Sequence, residues 1–443
     1  MARSIRQLFK QSFSLFIALG LILPSLSYAQ GNSEEKKMEW FGDAKLGIFI
    51  HWGIYAVNGI DESWSFYNGY ISHEDYIKQA EGFGAENYKP KEWAKLIKSS
   101  GVQYAVITTK HHDGFSLWNT ALGNFNAVKH SKAGKDLITP FVKAIRKENL
   151  KVGLYYSLPD WSSDLYTHFT NTEKRYKIAD EPERWENFLS YYQGQLSELS
   201  EAYNPDLWWF DGDWEHKAEE WKAKETRAML LAKNPNTIIN ARLSENGDYA
   251  TPEQGVPLMK PESPFWELCM TMNDSWGFQH NDTNYKTPNQ IIRIFVDCLR
   301  LGGNLLLDIG PKADGTIPEE QAAILTELGR WTNKHKEAIY GTQAGIPLDY
   351  FYGPTTLSKD KKTLYVFLAH KPNGPIVIRG LKNKVNRIRV VGQGTKLSQQ
   401  VHNKPYWSNK AGLLYFEVPE AALDAQVTVV ALQLDGEIQL DDK

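Results

Sequence analysis

The sequence predicts an α/β chain: a (β/α)8-like, TIM-type barrel followed by a C-terminal antiparallel β-sandwich. Three observations predict it. From Trp40 to about Tyr340, short apolar strand-like runs alternate with longer helix-like stretches, the pattern of parallel strands joined by crossover helices. That region spans roughly 300 residues, which suits a barrel, and no Gly-rich dinucleotide loop follows the first strand, as the open doubly wound alternative favours. After about Gly345 the helical period weakens, and short β-rich runs are separated by Gly, Asn and Lys turns.

The elements follow in order. In residues 1–29, Arg3, Arg6 and Lys10 precede an apolar run from Phe13 to Leu23, then Pro24 and the small-residue exit Ser27-Tyr28-Ala29. This predicts a signal peptide cut after Ala29, with an uncleaved anchor as the alternative, and export to the periplasm or beyond the cell. Residues 30–37 read as a polar linker and 38–345 as the barrel. Its strands are expected at Leu46–His51, Tyr104–Thr109, Val152–Ser157, Leu207–Phe210, Thr237–Asn240, Trp266–Met270 and Leu305–Ile309. Helices are expected at Pro90–Ser100, Leu137–Glu148, Glu183–Tyr203, Glu219–Lys233 and Thr287–Leu301. Residues 346–443 form the sandwich, with strands near Leu364–Ala369, Ile376–Ile378, Val385–Val391, Leu413–Val418 and Gln426–Leu434. Lacking an aromatic-rich face, it is expected to cap the barrel rather than bind sugar.

Bulk properties exclude some classes. A net charge of −3 argues against a nucleic-acid partner, which needs a basic face. Cys269 and Cys298 are too few for a disulfide framework and read as small core residues. No segment after the leader is apolar enough to span a bilayer. Fifteen tryptophans are more than a plain scaffold needs and fit a carbohydrate-handling surface.

Barrel chemistry sits at the C-terminal strand ends. There the chain places His51-Trp52-Gly53, Lys110-His111-His112-Asp113-Gly114, Tyr155-Tyr156-Ser157, Asp211 and Asn240-Ala241-Arg242. The run Trp208-Trp209-Phe210-Asp211-Gly212 puts a carboxylate in an aromatic frame, which suits attack on an oxocarbenium-like sugar centre. A glycosidase needs a second carboxylate. Glu245, the loop residue Glu253 and the strand residue Glu267 are available; Glu267 also fits a buried structural carboxylate. His111, His112 and Asp113 invite a metal reading, but no His-Glu-x-x-His pair is present, and hydrogen bonding to sugar hydroxyls fits them better.

These blocks resemble the family 29 α-L-fucosidases. Phe49-Ile50-His51-Trp52-Gly53-Ile54-Tyr55, Lys110-His111-His112-Asp113-Gly114-Phe115, Trp209-Phe210-Asp211-Gly212, Trp266-Glu267 through Ser275-Trp276-Gly277-Phe278, and the run from Gly302 to Pro318 occur in family order. The resemblance implies an exo-acting, retaining hydrolase of fucosylated glycans with no metal or organic cofactor. It implies Asp211 as nucleophile and Glu253 as acid/base, with Glu267 second. It also implies His51, Trp64, His111, His112, Tyr155, Trp209, Arg242 and Trp276 as fucose contacts, Tyr156 being the neighbour that competes with Tyr155. One position departs from the pattern. Many members carry Glu-Trp after strand one, whereas this chain has Glu62-Ser63-Trp64; Glu62 then replaces that acid or the contact is missing. Rival readings are a lectin-like fucose-binding protein on an inactive barrel and a metal-dependent hydrolase.

Overall fold

The computed structural model describes residues 36–442 apart from Asn124. The expected signal peptide lies outside the described residues. Residues 36–41 are helical. The remaining chain is one compact unit. Among the described residues no helix is long and apolar enough to cross a membrane.

Seven parallel strands form one curved sheet: β1 (Leu46–Ile50), β2 (Tyr104–Lys110), β3 (Lys151–Ser157), β4 (Leu207–Asp211), β5 (Ile238–Ile239), β6 (Glu267–Thr271) and β7 (Asn304–Ile309). Their order is β5-β4-β3-β2-β1-β7-β6. All match strands expected from sequence, because each is an apolar run buried on both faces.

The gap between β5 and β6 is spanned by an irregular stave that the sequence did not announce. Tyr249 bridges Asn240, Ala250 bridges Trp266, and Glu253 bridges Cys269, all in parallel sense. Backbone bonds from Ala241 N to Tyr249 O (2.9 Å), Glu267 N to Ala250 O (2.9 Å) and Cys269 N to Pro252 O (3.1 Å) close the ring. Pro252 has no N–H to give the ladder, so the pairing stays broken into single bridges. Glu253 therefore sits at the end of a barrel stave, not in the free loop expected.

Helices α1 (Pro90–Ser99), α2 (Ile138–Lys147), α3 (Pro182–Tyr203), α4 (Ala223–Lys233), α5 (Pro288–Arg300) and α6 (Glu319–His335) cover the sheet. Local chemistry sets their ends. Thr287 makes a capping box with Gln290 ahead of Pro288 in α5, and the residues α5 buries (Ile291, Ile292, Phe295, Val296, Cys298, Leu299) fall at helical spacing. Helix α4 starts later than Glu219, because Lys222 takes a left-handed backbone (φ 48°) that breaks the run. Helix α6 was not anticipated.

The C-terminal part packs a six-stranded sheet against a three-stranded one. Its central strands, β8 (Thr363–Leu368) and β9 (Thr428–Leu434), are buried on both faces. Leu364, Val366, Val430 and Leu432 fill the sandwich, while Phe367, Val429 and Ala431 join the barrel core. Trp331 of α6 donates its Nε1–H to Val427 O at 2.8 Å. Asp424, whose side chain is almost wholly buried, pairs with Arg330 (2.9 Å) and Lys334 (2.6 Å). The sandwich thus completes the cover over α6.

Candidate active site

The C-terminal strand ends converge on Asp211, the last residue of β4. Gly212 makes the turn beyond it in a left-handed conformation (φ 87°), and a side chain there would meet Pro159 at 2.2 Å. Arg242, just past β5, donates from Nη1 to Asp211 Oδ1 at 2.9 Å. On the other oxygen, Tyr155 OH donates at 3.1 Å and His112 Nε2 lies at 3.5 Å. Burial alone would push the Asp211 carboxyl up, but Arg242 and His112 outweigh it and hold it well below the usual carboxylate range.

The same guanidinium reaches the second carboxylate. Arg242 Nη2 donates to Glu253 Oε2 at 2.6 Å, and Nε donates to Thr251 Oγ1 at 3.2 Å. Arg242 lies over the Trp209 ring, 4.7 Å from its centroid. Burial opposes its charge, yet the flanking carboxylates raise its pKa further above the usual value.

The three histidines each anchor Nδ1 to a neighbour. His51 Nδ1 is 2.7 Å from Asp308 Oδ1, a residue sequence reasoning gave no role. Burial pushes the His51 imidazole down to about 3, so it is neutral. His111 Nδ1 is 2.6 Å from Ser63 Oγ, which also accepts the Asp113 N–H at 2.8 Å. His112 Nδ1 is 2.5 Å from Ser157 Oγ, and Ser157 donates its own proton to Pro159 O at 2.8 Å. With the serine proton committed, His112 Nδ1 carries the hydrogen. Its Nε2 is buried without a hydrogen-bond partner and faces Asp211.

Ser63 therefore occupies the departing position as a support for His111. Glu62 is buried and accepts the Gly277 N–H, fixing the loop that carries Trp276. Burial, with Asp61 adding to it, pushes its carboxyl up to about 8. Trp276 lies 5.0 Å from the His51 ring, and Trp64 lies 5.5 Å from the His112 ring. Strand alternation separates the two tyrosines. Tyr155 faces Asp211, whereas Tyr156 points outward and donates to Gln195 at 2.7 Å. Asp113 is held by Tyr76 OH (2.7 Å) and Phe115 N (2.9 Å). Among the described residues no group of three His, Cys, Asp or Glu could hold a metal ion.

Glu267 is tied to this cluster through Trp209 and makes no hydrogen bond to Asp211 or Arg242. It opens β6, is fully buried, and accepts from Tyr104 OH and from Trp209 Nε1 (3.1 Å). Burial pushes its carboxyl from 4.5 up to about 7. Between those values the folded protein holds a proton that the unfolded chain has lost, so this group makes stability fall as pH rises through the window. Glu267→Gln keeps an oxygen acceptor and removes the titration. The slope of the urea midpoint against pH should flatten across that window, while turnover stays within a few fold, as measured by denaturation and initial rates.

Trp214 was missed in the sequence. It lies in the turn after Asp211 and is 56% exposed. Its aromatic neighbours are Trp64, near-parallel with centroids 6.3 Å apart, and His112, edge-on at 6.0 Å. The signal was the residue's place three positions beyond the carboxylate.

Comparison with known proteins agrees with this arrangement. The family model "Alpha-L-fucosidase" matches residues 26–337. The chain is 32% identical over 334 residues to tissue alpha-L-fucosidase of Rattus norvegicus, covering 69% of this chain and 70% of that one. The structure of alpha-L-fucosidase isoenzyme 1 from Paenibacillus thiaminolyticus aligns with TM-score 0.82 at 35% identity, covering 91% of this chain and 100% of that one. A trapped covalent intermediate of a Bacteroides thetaiotaomicron alpha-L-fucosidase, in complex with 2-fluoro-fucosyl fluoride, aligns with TM-score 0.80 at 25% identity over 90% of this chain and 96% of that one. A barrel built around these strand ends, matched along most of its length, belongs to the alpha-L-fucosidase family.

Proposed function

We propose that this chain is an exo-acting, retaining α-L-fucosidase, which releases terminal L-fucose from fucosylated glycans through a covalent fucosyl-enzyme. The observation that carries the reading is one guanidinium, Arg242, bound to both Asp211 and Glu253 at the mouth of a histidine-lined pocket. Asp211, kept ionised, attacks the anomeric carbon. Glu253, with its side chain 39% exposed, is the carboxyl that the leaving oxygen can reach from solvent. It leaves Arg242 to protonate that oxygen, then takes a proton from the water that releases fucose. His112 Nε2 faces both Asp211 and the space beside the reacting carbon, where it meets a sugar hydroxyl. His51 and His111 meet further hydroxyls, and Trp276 and Trp209 supply apolar walls. The N-terminal pattern of basic, apolar and small residues supports export; N-terminal sequencing of the mature chain, expected to begin at Gln30, tests it.

Glu253→Ala is expected to lose on the order of 10²–10⁴-fold in rate on substrates with poor leaving groups. On an activated aryl α-L-fucoside, whose leaving group departs without acid help, azide should restore turnover by attacking the fucosyl-enzyme, and yield a fucosyl azide of the same anomeric configuration as the substrate. If Glu267→Ala behaves this way and Glu253→Ala does not, the acid/base assignment is reversed.

A further inference from the structure

We propose that Trp214 is a platform for a second sugar, the pyranose that carries the fucose; this rests on the α-L-fucosidase reading above. The turn Asp213–Glu215 holds three large polar or aromatic side chains, and only the tryptophan is left in water. Asp213 is turned back and accepts the Ser244 N–H at 2.7 Å, while its carbonyl accepts from Trp221 Nε1 at 3.0 Å. Glu215, with its side chain 6% exposed, accepts from Tyr67 OH (3.0 Å), Trp161 Nε1 (3.1 Å) and Tyr166 OH. Both flanks are therefore pinned, and the indole between them is held in place rather than loose.

An isolated exposed apolar side chain needs no explanation. This one is continuous with the pocket: it is near-parallel to Trp64 and edge-on to His112, whose other ring nitrogen faces the Asp211 carboxylate. A rigid indole at the rim costs little entropy on binding and matches the C–H face of a pyranose. A fucose ring occupying the pocket below leaves the rim for the next sugar of the glycan. Galactose-type rings gather their C–H bonds on one face and fit such a surface best.

The test compares two leaving groups. α-L-Fucosyl fluoride has no second ring, and 2′-fucosyllactose has a galactose in the leaving position. Trp214→Ala should lose about tenfold in kcat/KM on the trisaccharide and less than about twofold on the fluoride. Trp214→Phe should recover most of the trisaccharide activity. Equal losses on both substrates, or no loss on the trisaccharide, would overturn the platform. A wild-type protein that hydrolyses neither would instead sink the fucosidase reading itself. Thermal melts of both variants establish that they fold.

Discussion

Asp211→Asn folds like the wild type and loses turnover of an aryl α-L-fucoside by on the order of 10⁴-fold or more. The asparagine keeps the volume at the end of β4 and an oxygen for Arg242 Nη1. Its new amide N–H₂ replaces the oxygen that accepts from Tyr155 OH, and the phenol oxygen accepts from it in return. Only the negative charge and the nucleophilic oxygen are removed. Asp211→Gly opens space instead, and azide should then attack directly and give the β-anomer of fucosyl azide. Because the Glu253 variant is expected to give the α-anomer, NMR of the two products assigns each carboxylate separately. Near-normal turnover by Asp211→Asn would remove Asp211 from the nucleophile role.

Arg242→Met is expected to cost on the order of 10²–10³-fold in kcat/KM, with a change in pH dependence that a packing defect does not produce. The guanidinium is the largest favourable influence on the Asp211 carboxylate against burial. Without it, burial raises the carboxyl toward and past its ordinary value. The wild-type acid limb from this group lies well below the usual carboxylate range. In the variant it moves up, so activity is lost most at low pH and partly regained as pH rises. Profiles of kcat/KM against pH for both proteins measure the displacement; superimposable limbs would mean that Arg242 acts by position alone. Arg242→Lys does not restore the wild type, since one ammonium cannot replicate a fork that spans Asp211, Thr251 and Glu253.

The parts legible in the sequence were those where local chemistry and position agree. Strands buried on both faces read as apolar runs, and a polar residue at the end of each read as a site. Asp211, His51, His111, His112, Tyr155, Arg242 and Glu253 converge as expected, because a barrel brings all strand ends to one rim. What stayed hidden depended on distant partners. The stave through Tyr249 and Pro252 has no strand signature, since a proline and isolated bridges leave no period to read. Asp308 looked like one more position in an apolar strand until the fold set it against His51. The fate of Ser63 and Glu62 was undecidable from spacing, because it rests on which one meets His111 and which meets Gly277.

That broken stave divides the work of the two carboxylates. Asp211 ends a strand whose neighbour β3 pairs with it residue by residue, from Gly153–Leu207 to Ser157–Asp211. Covalent attack tolerates little error in approach, and this group is mounted on the stiff part of the wall. Glu253 is mounted at the barrel's seam, where closure depends on a few separate rivets. A proton donor must part from Arg242, reach an oxygen and return within each turnover, and a compliant mount permits that excursion without disturbing the stiff one. The seam also absorbs insertions more cheaply than any ladder, so the spacing between these two acids is free to drift while the line of attack stays fixed.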